Sequence, residues 1–473
     1  MSDLMREIDR HVIGEIWTSD VAYQSLKHLC DDIGHRFGGS DSEHNGAKYL
    51  EQKFKEYGLQ NVHLEEFPMY SWERGECFLA MTEPVERSFS AISMPYTGTE
   101  NIEGELIDVG EGEAPDFERL GDRIRGKIVL TDAETNRPGQ TKSHRTDKYR
   151  RAVEYGASAA IFINQNPGLL HITGALYGRE PGSDTVEGHT AAIPGIGVNY
   201  ESGMTIRRLA ERGSPKMRLR VRNSVYRSTS YNVIGDIPGS EKPDEIVLFG
   251  GHYDGHDIAP GATDDTAGTL TGLEAGRALA PFAGKLKRTV RIISFACEEI
   301  GLLGSWNHCE QYGKSGSNEK LVFMVNLDGA GRGKGGMEQV IVTGDNDELV
   351  SYFEGLGDDL KYDFPVTSGL SAHSDHFPYF LNGYPSATLR SQDATAGMIG
   401  RGYGHTEADT VDKVTIRGLQ MSAVLVARLA ARLANDDTFP AKSMTQNEVK
   451  SMLESKNMDH FLEHHWGRAN RVL

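Results

Sequence analysis

Cysteine is scarce in this chain: four residues in 473, at positions 30, 77, 297 and 309. No two are spaced as a paired-cysteine zinc motif, and so few make no disulfide framework. Long hydrophobic runs are missing as well. No stretch approaches the roughly 18 apolar residues of a membrane span, and the opening MSDLMREIDRHVIGEIW has no signal-peptide hydrophobic region. The expectation is a cytoplasmic protein, or a secreted one if a leader has been removed. Positive charge is in deficit: 50 Lys and Arg against 68 Asp and Glu leave −18 at pH 7. That balance argues against nucleic acid and anionic membranes as partners, because both need a basic footprint. A G-x-S-x-G elbow is absent, which disfavours a serine hydrolase, and there is no internal repeat.

What remains is a globular composition, 38% apolar and 25% charged, in a chain too long for one simple core. Residues 1–75 alternate a helix pattern, SEHNGAKYLEQKFKEYGL, with a strand-like NVHLEEFPMY, and Gly58 stands where a helix C-cap is expected. From 76 to 225 the texture changes to short runs such as GKIVLTD, ASAAIFINQ and AAIPGIGVN between Gly- and Pro-rich turns, which reads as a small inserted β-rich domain. From 226 to 436 strand and helix patterns alternate regularly, predicting an α/β fold with a mostly parallel sheet covered on both faces. The tail, 437–473, is polar and partly helical.

The stretch GGHYDGHDIAPGATDDTAG, Gly250 to Gly268, packs two His and four Asp between a buried-strand pattern and a small-residue helix pattern. Asp and Gly are ordinary turn residues, so any one of these side chains has a bland explanation. The context does not. A strand–loop–helix crossing puts the loop at the carboxyl end of a parallel sheet, where ligand sites form. The same residue types recur at the ends of successive strands: His252 and Asp254 after the first, Asp264 opening the next helix, Glu298 and Glu299 after the second strand, Asp328 after the third, and His405 before the last helix. Two imidazoles with three or four carboxylates suit a pair of zinc ions, and burying so many carboxylates without cations is costly.

In their order, GGHYDG, GATDDTAG, ACEEIGLLGS, NLDGAG and GHTEADT resemble the motifs of the co-catalytic di-zinc exopeptidases, the family of bacterial leucyl-type aminopeptidases, carboxypeptidase Q and glutamate carboxypeptidase II. IGHRFGGSDSEHNGAKYL fits as well, and the insert resembles a protease-associated domain. The resemblance implies a three-layer zinc-exopeptidase fold and two Zn2+ ions per chain. His252 and Asp328 would bind one ion, Glu299 and His405 the other, and Asp264 would bridge them. Asp265 is the rival bridge; it reads as the helix N-cap. Asp254 would orient His252, and Glu298 would act as general base toward a metal-bridged water.

The implied activity is hydrolysis of terminal bonds in short peptides, with an aminopeptidase as the first reading. A carboxypeptidase or dipeptidase is the alternative, since Arg390 and Arg401 lie near the expected cleft and a guanidinium would receive a free carboxylate. A glutaminyl cyclase-like enzyme and a metal-free binding protein are further alternatives. Ser374 and Asp375, in SGLSAHSDHFPYF, are candidates for the substrate wall, with Asp375 equally readable as a helix cap. Tyr403 is a candidate oxyanion donor, with packing the plainer role. His256 and Asp257 are read as serving their loop, and His373 and His376 as structural or exposed. GRGKGG, Gly331 to Gly336, formally fits a dinucleotide fingerprint but leads into a strand pattern, not a helix. Dimers are common in the family, so a homodimer is implied, although no seam is legible.

Overall fold

Successive side chains of a strand point to opposite faces, and in the central strands of this protein both faces are apolar. The structure, a computed structural model, describes residues 3–135, 143–180, 182–312, 318–332, 338–392, 398 and 402–464. In Lys242–His252, Val247 and Phe249 join the largest core together with Val290, Ile292, Phe323 and Val325 of the neighbouring strands. Ile246 and Leu248 join a second core with Ile293, Phe295 and Met324. Helices Asp3–Trp17, Ala267–Leu279 and Ile416–Asn435 cover the first face. Leu303–Gln311 and His376–Leu381 cover the other, through Cys309 and Tyr379. The α/β reading therefore holds, as three layers.

The sheet runs in the order Val366–Gly369, Glu338–Thr343, Ser386–Ser391, Lys320–Asn326, Lys242–His252, Arg288–Phe295, Lys216–Ile237. Its middle four strands are parallel, while Glu338–Thr343 and Lys216–Ile237 run antiparallel to their inner neighbours. The order then continues through Glu100–Asp108, Ile128–Asp132, Ala159–Ile163 and Gly195–Val198 to Ala91–Ser93. This outer part has its own core of Leu106, Ile128, Leu130, Ile161 and Ile196, and carries helices Arg145–Glu154 and Tyr200–Ala210.

Two long strands join the parts. Gln60–Glu83 and Lys216–Ile237 pair antiparallel along most of their length. Val233–Ile237 at one end pairs with Arg288–Phe295, and Lys216–Val221 at the other pairs with Glu100–Asp108. The expected divisions at 75/76 and 225/226 both fall inside these strands, because one ladder is shared and no turn marks a border.

Helix Asp41–Glu56 forms where the pattern placed it, with Ser40 accepting from Glu43 N and Gly58 at φ 82° beyond its end. Asp3–Trp17 and the four-residue strand Val366–Gly369 were not legible. The tail contributes Gln446–Ser455, begun by a capping box of Thr445 and Glu448. The four cysteines are free thiols. Among the described residues no helix is long and apolar enough to cross a membrane.

Candidate metal centre

Lys242–His252, Arg288–Phe295 and Lys320–Asn326 are parallel neighbours, with His252 opposite Phe295 and Gly250 opposite Asn326. Their carboxyl ends lie side by side, which brings His252, Glu298, Glu299 and Asp328 to one place. Helix Ala267–Leu279 packs close against these ends. A Cβ on Gly268 would stand 2.2 Å from Leu327 O, so only glycine allows the approach that carries Asp264 in.

Two groups of ligand-type atoms result, each within 4.8 Å of one another: His252, Asp264 and Asp328, and His256, Glu299 and His405. Asp264 lies between the groups. Its Oδ1 is 3.6 Å from His252 Nε2 and its Oδ2 is 3.6 Å from His405 Nε2. Asp265 faces elsewhere: it is fully buried, and its Oδ1 accepts from Gly268 N at 3.2 Å and Gly329 N at 3.0 Å. It binds the start of the helix to the loop after the third strand.

Asp254, also buried, accepts from Glu298 N at 3.0 Å and Glu299 N at 3.2 Å. His252 Nδ1 faces the Asp254 carbonyl at 3.2 Å and its Oδ1 at 3.5 Å, so the ring presents Nε2 to Asp264. Glu298 Oε2 stands 3.9 Å from that nitrogen. Burial, with Glu299, Asp375 and Asp328 close by, raises the Glu298 carboxyl well above its usual range despite His252. For Glu299 burial also works toward protonation, but His256 and His405 outweigh it and hold the carboxyl well below that range. Both imidazoles place Nε2 at 3.0 Å from the same oxygen, Glu299 Oε2. Asp264 is lowered too: burial opposes its charge, and Arg332, His252 and His405 prevail.

A cleft of about 880 Å³ opens beside the first group and is lined by Asp264, Asp328, Arg332, Ser374 and Arg390, with Glu134 and His144 of the outer part also on its wall. Ser374 Oγ donates to Asp328 Oδ2 at 2.7 Å and accepts from Asn326 Nδ2 at 2.6 Å. Arg390 is exposed on the wall. Asp375 is not on the wall. It is fully buried, and burial pushes its carboxyl up to about 7. Nor does its side chain cap the following helix: at φ −59°, ψ −17° the residue is itself helical, whereas a capping side chain needs an extended backbone. Tyr403 lies under Lys413, whose Nζ is 4.9 Å from the ring centroid, as a packing residue. Arg401 lies outside the described residues.

Several contributors escaped the sequence reading. His256 belongs to the second group, not merely to its loop; a His among Asp and Gly gives no sign of the Glu299 and His405 that the fold brings to it. His373 and His376 both line the cleft, with His373 stacked on His144 at 3.8 Å between centroids. Arg332 Nη2 donates to Asp264 Oδ1 and Asp328 Oδ1, both at 3.0 Å; it stands in GRGKGG, of which Gly333 to Gly336 lie outside the described residues. Asp409, in GHTEADT, accepts from Thr263 N at 2.7 Å and Asp264 N at 3.1 Å. Arg36 is fully buried and donates to the carbonyls of Tyr253, Leu29, Gly34 and Pro260 at 2.6–2.9 Å, pinning both ends of the loop that holds His256.

Residues 232–430 match the model of peptidase family M28, and residues 102–206 match that of the PA domain. Among curated proteins, carboxypeptidase Q of Bos taurus is 27% identical over 311 residues, 65% of this chain and 64% of that one. The match thus spans just under two thirds of that relative's length. A probable leucine aminopeptidase 2 of Aspergillus fumigatus is 25% identical over 441 residues, 88% of this chain and 83% of that one. Among solved structures, a peptidase M28 precursor from Shewanella amazonensis superposes with a TM-score of 0.76 at 22% identity, covering 92% of this chain and 98% of the other. A zinc aminopeptidase from Bacillus subtilis gives 0.65 at 22%, covering 89% and 96%. These likenesses show the fold.

Proposed function

Because residues 232–430 are of the M28 peptidase type and residues 102–206 of the PA type, we propose that this protein is a zinc-dependent exopeptidase acting on short peptides, with aminopeptidase action as the first reading. The observation that carries the proposal is Asp264, one oxygen toward His252 and the other toward His405. A carboxylate so placed suits two cations rather than one. The donor set fits zinc: imidazole nitrogens and carboxylate oxygens, buried together, in an excess of negative charge that protein cations only partly balance. His252, Asp328 and Asp264 would hold one ion. Glu299, His405 and Asp264 would hold the other, with His256 placed to add a nitrogen.

Zinc, when bound, lowers the pKa of water and polarises the scissile carbonyl. The chain's own residues do the rest. Glu298 stands beside the ligands without being one of them, so its carboxylate takes the proton of the attacking water and returns it to the leaving amine. Asp254 fixes the tautomer of His252 and holds the backbone of Glu298 and Glu299, which keeps base and ligands in register. The walls of the cleft confine the peptide end.

A second reading, a carboxypeptidase or dipeptidase, is favoured by one observation: Arg332 and Arg390 both line the cleft, where a guanidinium can pair a free carboxylate. Mass spectrometry of peptides with free, amino-blocked and carboxyl-blocked ends separates the readings. Shortening from the amino end that survives carboxyl blocking and stops with a chelator supports the aminopeptidase. Cleavage that needs a free carboxylate moves the assignment to the second reading, and no chelator-sensitive hydrolysis removes both. The division into a peptidase unit with an insert over 76–225, and a homodimer, complete the proposal; limited proteolysis and light scattering check them.

A further inference from the structure

We propose that the inserted unit assembles one of the two metal pockets, by orienting His405 and the loop of His256, while the other pocket is independent of it. This rests on the two-ion reading above. Both imidazoles of the His256–Glu299–His405 group stand on loops, not on strand ends, so something else must fix their rings. Two connections do so, one from the insert itself and one from a strand that runs into it.

The first is a short ladder. His405 Nδ1 donates to Thr173 O at 3.1 Å, and Thr173 N donates back to His405 O at 3.1 Å. Two residues along, His171 N donates to Glu407 Oε2 at 2.9 Å, and the His171 ring pairs with Glu407 Oε1. Donation through Nδ1 makes Nε2 the nitrogen that His405 presents to Glu299 and Asp264.

The second is Arg74, on one of the strands shared with the insert. Its Nε and Nη2 each donate to Asp257 at 2.6 Å, and the same guanidinium binds Ser93 O and lies 3.4 Å from Thr173 Oγ1. One side chain thus ties the residue next to His256 to the segment that aims His405. Around His252, Asp264 and Asp328 the described contacts come instead from Asp254, Asp409, Arg332 and Ser374, all within the peptidase segment. Groups that orient a ligand commonly change metal affinity by about 10- to 100-fold. Loss of these ties should therefore weaken one pocket and spare the other.

The test is competition for zinc sulfate between the full chain and a chromophoric chelator, which reads the number of ions and their affinities without reading activity. Wild type, Glu407→Ala, Arg74→Met and Glu407→Gln are compared, each checked for folding by circular dichroism. The expected result is two tightly held ions in wild type and, in Glu407→Ala and Arg74→Met, one held as before and one weakened about 10-fold or more. Glu407→Gln keeps an oxygen for His171 N and falls between. His171→Phe removes the ring's contacts with Glu407 and Ser90 and keeps the backbone one, so it carries the test if the larger changes do not fold. Both ions held with wild-type affinity in folded variants, or both weakened alike, overturns the inference and leaves the two-ion reading standing. A wild-type chain that does not take up two ions overturns that reading first.

Discussion

The His252–Asp264–Asp328 group and the His256–Glu299–His405 group lie within one buried cluster, yet they are supported differently. The first grows from strand ends whose register is set by a sheet apolar on both faces, with a helix drawn in over Gly268. The second draws both imidazoles from loops, and those loops are braced by Arg36 from the N-terminal segment, by Arg74 from a strand that runs into the inserted part, and by His171 and Thr173 of the inserted part itself. A site built on sheet register is inherited from the core; a site built on loops depends on each brace. The difference predicts unequal responses to substitution.

The largest effect is expected where the two groups act together. Glu298→Gln should cost roughly 10²-fold or more in kcat with zinc content unchanged, as read by kinetics and elemental analysis on one preparation. Retained turnover would remove Glu298 from the chemistry. Next comes the comparison of ligands: His252→Ala should lose one zinc ion outright, whereas His256→Ala, which leaves Glu299, His405 and Asp264, should weaken one ion by about 10-fold or less. If His256→Ala loses its ion as completely as His252→Ala, His256 is a required ligand and not an added one.

Arg36→Met tests the brace that serves the whole loop from Tyr253 to Pro260. It leaves several buried carbonyls unpaired, at roughly 1–3 kcal/mol each for a lost buried partner, so a marked fall in Tm is expected together with weaker zinc at the loop-built pocket. An unchanged melting curve would show that the loop holds its shape without the arginine. The smallest effect should come from Asp9→Asn, remote from both groups. Burial works against the charge of Asp9, but Arg432 and Arg428 outweigh it and lower its pKa from 3.8. Its pairing therefore contributes stability above the unfolded value, lost as pH falls through the lower folded value. The variant should show a flatter loss of stability below about pH 4, with zinc binding intact; a shift in zinc binding would mean that the two groups are not insulated from the outer helix.

Much of the centre was legible because it is local. An apolar run followed by His or Asp, then a small-residue helix, marks a strand end and what stands on it, and three such ends in parallel neighbours must converge. His256 was not legible, because its role depends on Glu299 and His405, which reach it only after the sheet is assembled and the loop before the last helix is folded down. Asp375 was misread for a related reason. A carboxylate just ahead of a short helix looks like a cap or a wall residue, but the backbone there is already helical and the side chain is buried near Glu298. The long strands Gln60–Glu83 and Lys216–Ile237 hid the border between the two parts, since a ladder that runs through both leaves no turn at the crossing.

The amino-acid sequence by itself determined the alternation of strands and helices in the peptidase segment, the two-sided apolar sheet, and the residue types that gather at its edge, because each follows from side-chain period and chemistry within a few residues. Tertiary structure decided which histidine stands against which carboxylate, that Arg332 lies against Asp264 and Asp328, and that the insert reaches His405. Those pairings join segments far apart in the chain, and their distances are set by sheet register and layer packing, which no local pattern encodes.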